Sequence, residues 1–309
     1  MTDKLQRKKD EVNALLPTGV NVDFDQVFFD VDKWRSGAKK RAQRLQRVGD
    51  VLRQFLDDDE QVLGVTHGVT AHTWEMFFIG WMAYMVNGTT VVRTQKRLLF
   101  VHTDGAGNPF SYVNQVPLSA VKKASSGWLS GSLSLKLGTG RLQLVRMNKA
   151  EAKAMQAAIP VNKAAQGGRE FLCPSCGTST TEHGSPCVSC GVELKSPSTA
   201  ALRSMIVPGL GDWYLGHRGT AVLEMIGGVF GWFLLGTSAV AWLTGQAGVE
   251  AVVVWLVLVL IGHSIDAAVT YAQGKKGMYS LDGQLPTERK QLSAPKLSGG
   301  GTHTPTATR

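Results

Sequence analysis

All four cysteines of the 309-residue chain fall within 18 residues, as two copies of one pattern: Cys173-Pro174-Ser175-Cys176-Gly177 and Cys187-Val188-Ser189-Cys190-Gly191. The two-residue spacer lets both thiolates of a pair turn onto one ion. The glycine that follows permits the left-handed backbone that so tight a turn needs. Ten residues separate the pairs, close to the spacing of small tetrathiolate zinc sites. Four thiolates leave no open position on the metal, so Cys173, Cys176, Cys187 and Cys190 are expected to hold one structural zinc ion. The rival is a redox-active C-x-x-C, which would usually occur once, at the start of a helix in a βαβ unit. His183 lies between the pairs and is expected to be an exposed loop residue outside a filled shell. The N-terminus, MTDKLQRKKDEV, has no apolar core of a signal peptide, so the segment before residue 200 is expected in a reducing cytosol, where metal ligation is favoured over disulfides.

A second set of reactive groups lies inside apolar sequence. Ala221–Leu243 contains one ionisable residue, Glu224; Ala251–Ala272 contains His263, Ser264 and Asp266. Each run is long enough to span roughly 30 Å of hydrocarbon. The connecting residues 244–250 carry no Lys or Arg, whereas Arg203 and Arg218 precede the first run and Lys275 and Lys276 follow the second. The positive-inside rule predicts a multi-pass protein of the inner membrane with both termini in the cytoplasm. At a rise of about 1.5 Å per residue, Glu224 and Asp266 sit about 7 Å below the cytoplasmic interface, with His263 one turn deeper. Glu224, His263 and Asp266 are therefore expected to converge, either as a structural clasp aided by His217 or Arg218 or as a proton- or ion-responsive site.

The formal net charge of +9 is unevenly placed. Residues 1–60 carry 12 basic and 12 acidic groups; residues 61–160 carry 10 basic and 3 acidic. That surplus suits an anionic surface, phospholipid head groups or nucleic acid, and Arg93, Lys96, Arg97, Lys122 and Lys123 are the candidate binding face. The alternative is a solvated basic face with no ligand. Nucleic acid is disfavoured, because the cysteine module does not interleave basic with aromatic residues.

These groups need elements to position them. In residues 1–60, Leu45, Val48, Leu52 and Phe55 recur at helical steps between Ala38 and Leu56, and a partner helix or the next domain must cover that stripe. Residues 61–160 read as β-structure with a closing helix. Asn87-Gly88 predicts a hairpin between Met76–Val86 and Thr89–His102. Gly138-Thr139-Gly140 separates two alternating runs, 133–137 and 141–145. Asn148 caps a helix over 149–159 that Pro160 ends. Residues 161–172 and 192–200 read as linkers around the cysteine module at 173–191. Residues 201–278 read as a membrane domain with helices at about 221–243 and 251–272, and 279–309 as a disordered tail.

Three stretches resemble known families. Thr89-Thr90-Val91-Val92-Arg93-Thr94-Gln95-Lys96-Arg97-Leu98-Leu99-Phe100-Val101, with Pro117-Leu118-Ser119-Ala120-Val121 after it, resembles the bacterial pleckstrin-homology-like domains, which are related in shape to GRAM domains. The cysteine module is similar to a zinc ribbon. Pro208-Gly209-Leu210-Gly211-Asp212-Trp213-Tyr214-Leu215-Gly216 is similar to the PGLGQxYxG signature of a family of two-helix membrane domains, departing from it at Asp212, where Gln is usual. The expected fold class is thus a multidomain membrane protein: an antiparallel sheet with a C-terminal helix, a small zinc ribbon and a transmembrane helical hairpin.

No phosphate loop, nucleophile elbow or H-E-x-x-H motif occurs, so an enzyme is not expected. The expected role is a membrane-anchored binding or adaptor protein, with membrane lipids, a protein partner and a second copy of the chain as partner classes. The alternative is a small channel, transporter subunit or sensor that works through the hairpin's polar residues.

Overall fold

A computed structural model describes residues 2–33, 36–70, 86–127 and 131–281. Helices α1 (Thr2–Asn13), α2 (Phe24–Val27) and α3 (Ala38–Phe55) precede a run of strands: β1 (Gly64–Thr70), β2 (Gly88–Arg93), β3 (Arg97–Thr103), β4 (Pro109–Pro117), β5 (Val121–Ser126), β6 (Leu133–Leu137) and β7 (Arg141–Val145). Helix α4 (Lys149–Ala158) follows, then short strands β8 (Glu170–Leu172) and β9 (Ser179–Thr180). Four helices end the described chain: α5 (Pro197–Ile206), α6 (Leu210–Leu215), α7 (Arg218–Leu243) and α8 (Val249–Gly274).

The strands form one sheet in the order β5-β6-β7-β1-β2-β3-β4-β8-β9, every named pair antiparallel. The expected strand Met76–Val86 lies, but for its last residue, outside the described residues; Gly88–Arg93 pairs instead with Gly64–Thr70 on one side and β3 on the other. Successive side chains of a strand point to opposite faces, and in β2 and β3 both faces are buried. Val92, Leu99, Val101 and Val113 pack against Leu45, Val48, Leu52 and Phe55 of α3. Val91, Leu98, Phe100 and Val116 pack against Leu133, Leu135, Leu144 and Met155 from β6, β7 and α4. The N-terminal helices are therefore not a separate unit: their apolar stripe is one wall of the sheet's core. Asn148 caps α4 by accepting from the amides of Ala150 and Glu151. Glu151, 4% exposed, receives Arg44 at 2.9 Å and the Thr66 hydroxyl at 3.0 Å, and shares buried Arg41 with Asp30, so α3, α4 and β1 are tied by charge as well as packing.

The segment read as a linker at 161–172 ends in β8, which pairs with β4 through Val113↔Leu172, Asn114↔Phe171 and Gln115↔Glu170. The chain also stays packed just past Met278, where the sequence predicts disorder: Tyr279 is 3% exposed and Leu194 bridges Ser280.

Helices α7 and α8 are long and apolar enough to cross a membrane, and both leave most of their surface uncovered by the rest of the chain. The turn before them explains the Pro-Gly-Leu-Gly motif. A Cβ on Gly209 would lie 2.3 Å from the Ala221 carbonyl, and one on Gly211 would lie 2.2 Å from the Ala200 carbonyl and 2.6 Å from Thr270. Only glycine lets α6 wedge between α5, α7 and α8. The Ser204 hydroxyl sits 3.0 Å from that of Thr270 and accepts from the Gly211 amide at 3.2 Å, closing the wedge.

The apolar pair does not hang from a free tether. The Asn114 amide donates to the Lys276 carbonyl at 2.7 Å, and the Lys276 ammonium, 7% exposed on a whole-residue basis, donates to Asn87 Oδ1 at 2.8 Å. Beside them His102 stacks on Tyr112 at 4.3 Å, Tyr112 meets Tyr279 at 5.2 Å, and His217 touches Phe110 and Tyr279 at 5.4 and 5.7 Å.

His102 is fully enclosed in this seam. Burial, then the neighbouring His217, pushes it down to about 3 from the ordinary 6.5. A histidine held neutral in the fold contributes stability that is complete above pH 6.5 and is lost as the pH falls toward 3. Acidification from pH 6.5 to 5 should therefore cost about 2 kcal/mol through this residue. Thermal melting of the purified full chain across that range should show the midpoint fall, and His102→Gln should flatten the dependence. A wild-type midpoint that is level from pH 7 to 5 would contradict the assignment.

Candidate metal centre

Each cysteine pair is set by the same local hydrogen bonds. In the first, the Cys173 amide donates to the Thr178 carbonyl and the Gly177 amide to the Cys173 carbonyl, both at 2.9 Å; in the second, Cys187 donates to Val192 at 2.9 Å and Gly191 to Cys187 at 2.7 Å. Gly177 and Gly191 have φ of 75° and 71°, the left-handed region expected from their place after each pair. Strands β8 and β9 flank the first knuckle and seat it on the main sheet, and the Gln54 side chain of α3 donates to the Ser175 carbonyl at 2.8 Å.

The four thiols are free and converge. Cys173 Sγ lies 3.7 Å from Cys190 Sγ, Cys176 Sγ lies 3.7 Å from Cys187 Sγ, and all four sulfurs lie within 4.8 Å of one another. A regular tetrahedron of thiolates about 2.3 Å from a central ion has edges of about 3.8 Å. The separations are far too long for S–S bonds and right for ligands of one tetrahedral ion. Burial pushes the Cys173 thiol up. At Cys190 burial acts the same way, but hydrogen bonds from Ser175 and Val192 prevail and hold it at about 7, so it is the first of the two to present a thiolate. His183 is not the exposed loop residue expected. It is half-buried edge-on to Phe171 at 5.1 Å, and its burial lowers its affinity for a proton.

The five basic candidates do not form one face. Arg93 is 8% exposed and donates to Gln26 and to the Leu63 carbonyl. Arg97 is engaged by Glu60, Gln115 and the Phe55 carbonyl, and Lys96 by Asp57 and Asp59 at 3.1 and 2.7 Å. Lys96 and Arg97 neutralise the acidic run after α3, whereas Arg93 faces Gln26 and Leu63. The run that ends that helix thus has a second use, which charge counting does not reveal. Lys122 is half-buried and Lys123 exposed on β5. Two residues outside the expected set join Lys123. Lys136 stands opposite it, and Arg141 opposite Lys136, so that Lys123, Lys136 and Arg141 form an exposed cross-strand row over β5, β6 and β7. The alternation of the two runs around Gly138-Thr139-Gly140 is the signal that puts them on one face.

In the hairpin, Glu224, His263 and Asp266 do converge on one cavity, and the group that comes nearest the two carboxylates is Asp212, which is outside the expected set. One carboxylate oxygen from each of Asp212, Glu224 and Asp266 lies within 4.8 Å of the other two. Asp266 accepts from the Gly209 amide at 3.0 Å, and Asp212 lies 3.1 Å from His217 Nδ1. His263 instead bonds the Met205 carbonyl at 2.9 Å through Nδ1 and meets Trp232 edge-on. The i, i+3 spacing keeps His263 near Asp266, yet Met205 of α5 draws the ring aside.

The tetrathiolate geometry predicts one metal ion per chain, measurable by elemental analysis under reducing conditions. Cys176→Ser should abolish it and accelerate hydrogen exchange across residues 173–192, because a knuckle with so little core of its own depends on its ion. Leu172 shares the core of α3 and β4, so the melting temperature of the whole chain should fall as well. Wild-type chain purified without stoichiometric metal would overturn the site. No protein-family model and no curated protein matches this chain.

Proposed function

We propose that the chain is an integral protein of the inner membrane, crossing it as an α7–α8 hairpin, whose sheet and cysteine module form one cytoplasmic unit that docks on anionic lipid. The observation that carries this reading is the Lys123–Lys136–Arg141 row. Like charges directly opposite one another across strands are destabilising, and three exposed cations in register favour an anionic ligand over mere solubility. The Arg141 end of the row opens on a cavity of about 280 Å³ that Arg169 and Lys276 also line. Lys276 stands two residues past the end of α8, which on this reading is the cytoplasmic surface. The row thus begins at head-group height, where each Lys or Arg near an anionic leaflet contributes about 1 kcal/mol.

The strand order supports a pleckstrin-homology-like domain: a four-strand meander, a three-strand meander, then the closing helix α4. Zinc is the ion that four thiolates at tetrahedral spacing favour. As a closed site it fixes the β8–β9 hairpin and performs no reaction. Because sheet and hairpin are joined through Lys276 and the ring seam, the docking face is held at a set orientation to the bilayer. A protein partner bound by the same unit is the adaptor role that this arrangement serves.

Two measurements test this. A reporter fused to the C-terminus should behave as cytoplasmic; periplasmic activity would mean an odd number of crossings and would remove the hairpin. Lysine acylation of the full chain in nanodiscs, read by mass spectrometry, should show Lys123 and Lys136 slowed several-fold by phosphatidylglycerol relative to phosphatidylcholine, and the protection should vanish in Arg141→Glu. Equal rates in both lipids would sink the lipid-docking reading.

A further inference from the structure

We propose that Asp212, Glu224 and Asp266 form a binding site for a hard divalent cation of the Mg²⁺ or Mn²⁺ class. The three carboxylates come from three elements, α6, α7 and α8, and the glycine-dependent wedge of α6 is what brings Asp212 to the other two. Asp212 is 2% exposed. His217 and the Gly209 amide hold Asp212 and Asp266 from outside the cluster, which fixes both carboxylates beside Glu224.

An independent feature points to an occupant. Glu224, His263 and Asp266 line one cavity of about 280 Å³ between α7 and α8, floored by Pro208 and Gly228. His263 is 6% exposed, and its Nε2 is buried with no hydrogen-bond partner in the chain; Glu224 Oε2 is in the same state. Buried polar atoms of this kind are normally satisfied, by water or an ion where the protein supplies nothing. A water takes up about 30 Å³, so the cavity has room for an ion that keeps several of its waters, as Mg²⁺ does. Three oxygen donors, with no sulfur and with the imidazole set back from them, select a hard cation over zinc or copper.

Charge requires some such neutralisation. Three carboxylates with oxygens within 4.8 Å of one another cannot all stay ionised in a low-dielectric setting without a counter-charge. A divalent ion supplies it at once and reduces three negative charges to one; shared protons are the competing solution. The low-dielectric setting rests on the membrane placement proposed above. Failure of that placement would show in the reporter fusion, whereas failure of the site would show in an inserted, folded chain.

The test uses the full chain, zinc-loaded, in neutral phosphatidylcholine nanodiscs, so that neither thiolates nor anionic lipid takes up the probe. Mn²⁺ is titrated and its free electron-paramagnetic-resonance signal is followed. Wild type should bind one Mn²⁺ per chain, displaceable by Mg²⁺. Glu224→Gln and Asp266→Asn should each weaken binding by about tenfold or more, while Glu250→Gln, in the exposed first turn of α8, should not. Asp212→Asn also disturbs buried His217 and is not relied on. The proposal is overturned if inserted wild type takes up no saturable Mn²⁺, or if Glu224→Gln, with zinc content and monodispersity unchanged, binds as wild type does.

Discussion

The insertion of Lys276 into the end of the sheet is the contact on which the arrangement of the whole chain turns. An ammonium is costly to bury unless it is well provided with acceptors. Here Asn87 Oδ1 receives it, while the backbone carbonyl of Lys276 itself accepts from the Asn114 amide. One residue thus closes two bonds across the seam between sheet and helices. The ring stack of His102, Tyr112, Tyr279 and His217 lies beside these bonds and closes the rest of the seam.

A second constraint works within the soluble part. β2 and β3 are buried on both faces, so they need two separate covers, and the chain supplies α3 for one and β5–β7 with α4 for the other. The Arg41–Asp30–Glu151 network stitches the first cover to the second across the sheet's rim. The cysteine module is drawn in by the same logic: Leu172, immediately before Cys173, completes the α3 side of the core.

How much of this could be read beforehand depended on how local each determinant is. The cysteine knuckles were fully legible, because spacing and one glycine dictate their geometry. The apolar helices were legible from length and composition, and the closing helix from Asn148 and Pro160. The basic face was not. Charge totals say how many cations a segment has, but not that Arg93 lies on a strand buried from both sides or that Glu60 takes Arg97. The polar cluster was half legible. Glu224 and Asp266 follow from depth along two antiparallel helices, whereas Asp212 enters through a turn whose tightness depends on contacts of Gly209 and Gly211 with distant residues. The unity of the N-terminal helices with the sheet was hidden for the same reason, since an amphipathic stripe does not name its partner.

The ring seam has one more consequence. A pair of helices joined to a sheet by interlocked rings and a buried ammonium turns with it as one rigid lever. In a bilayer thinner than its apolar length, a hairpin of this kind tilts. Through the contacts of Lys276 and the rings, the tilt would be passed to β5–β7 and, on the proposed lipid-docking reading, change the angle at which Lys123, Lys136 and Arg141 face the leaflet. Local thickness of the lipid would then be converted into the orientation of a charged surface, without any change in the fold of either part.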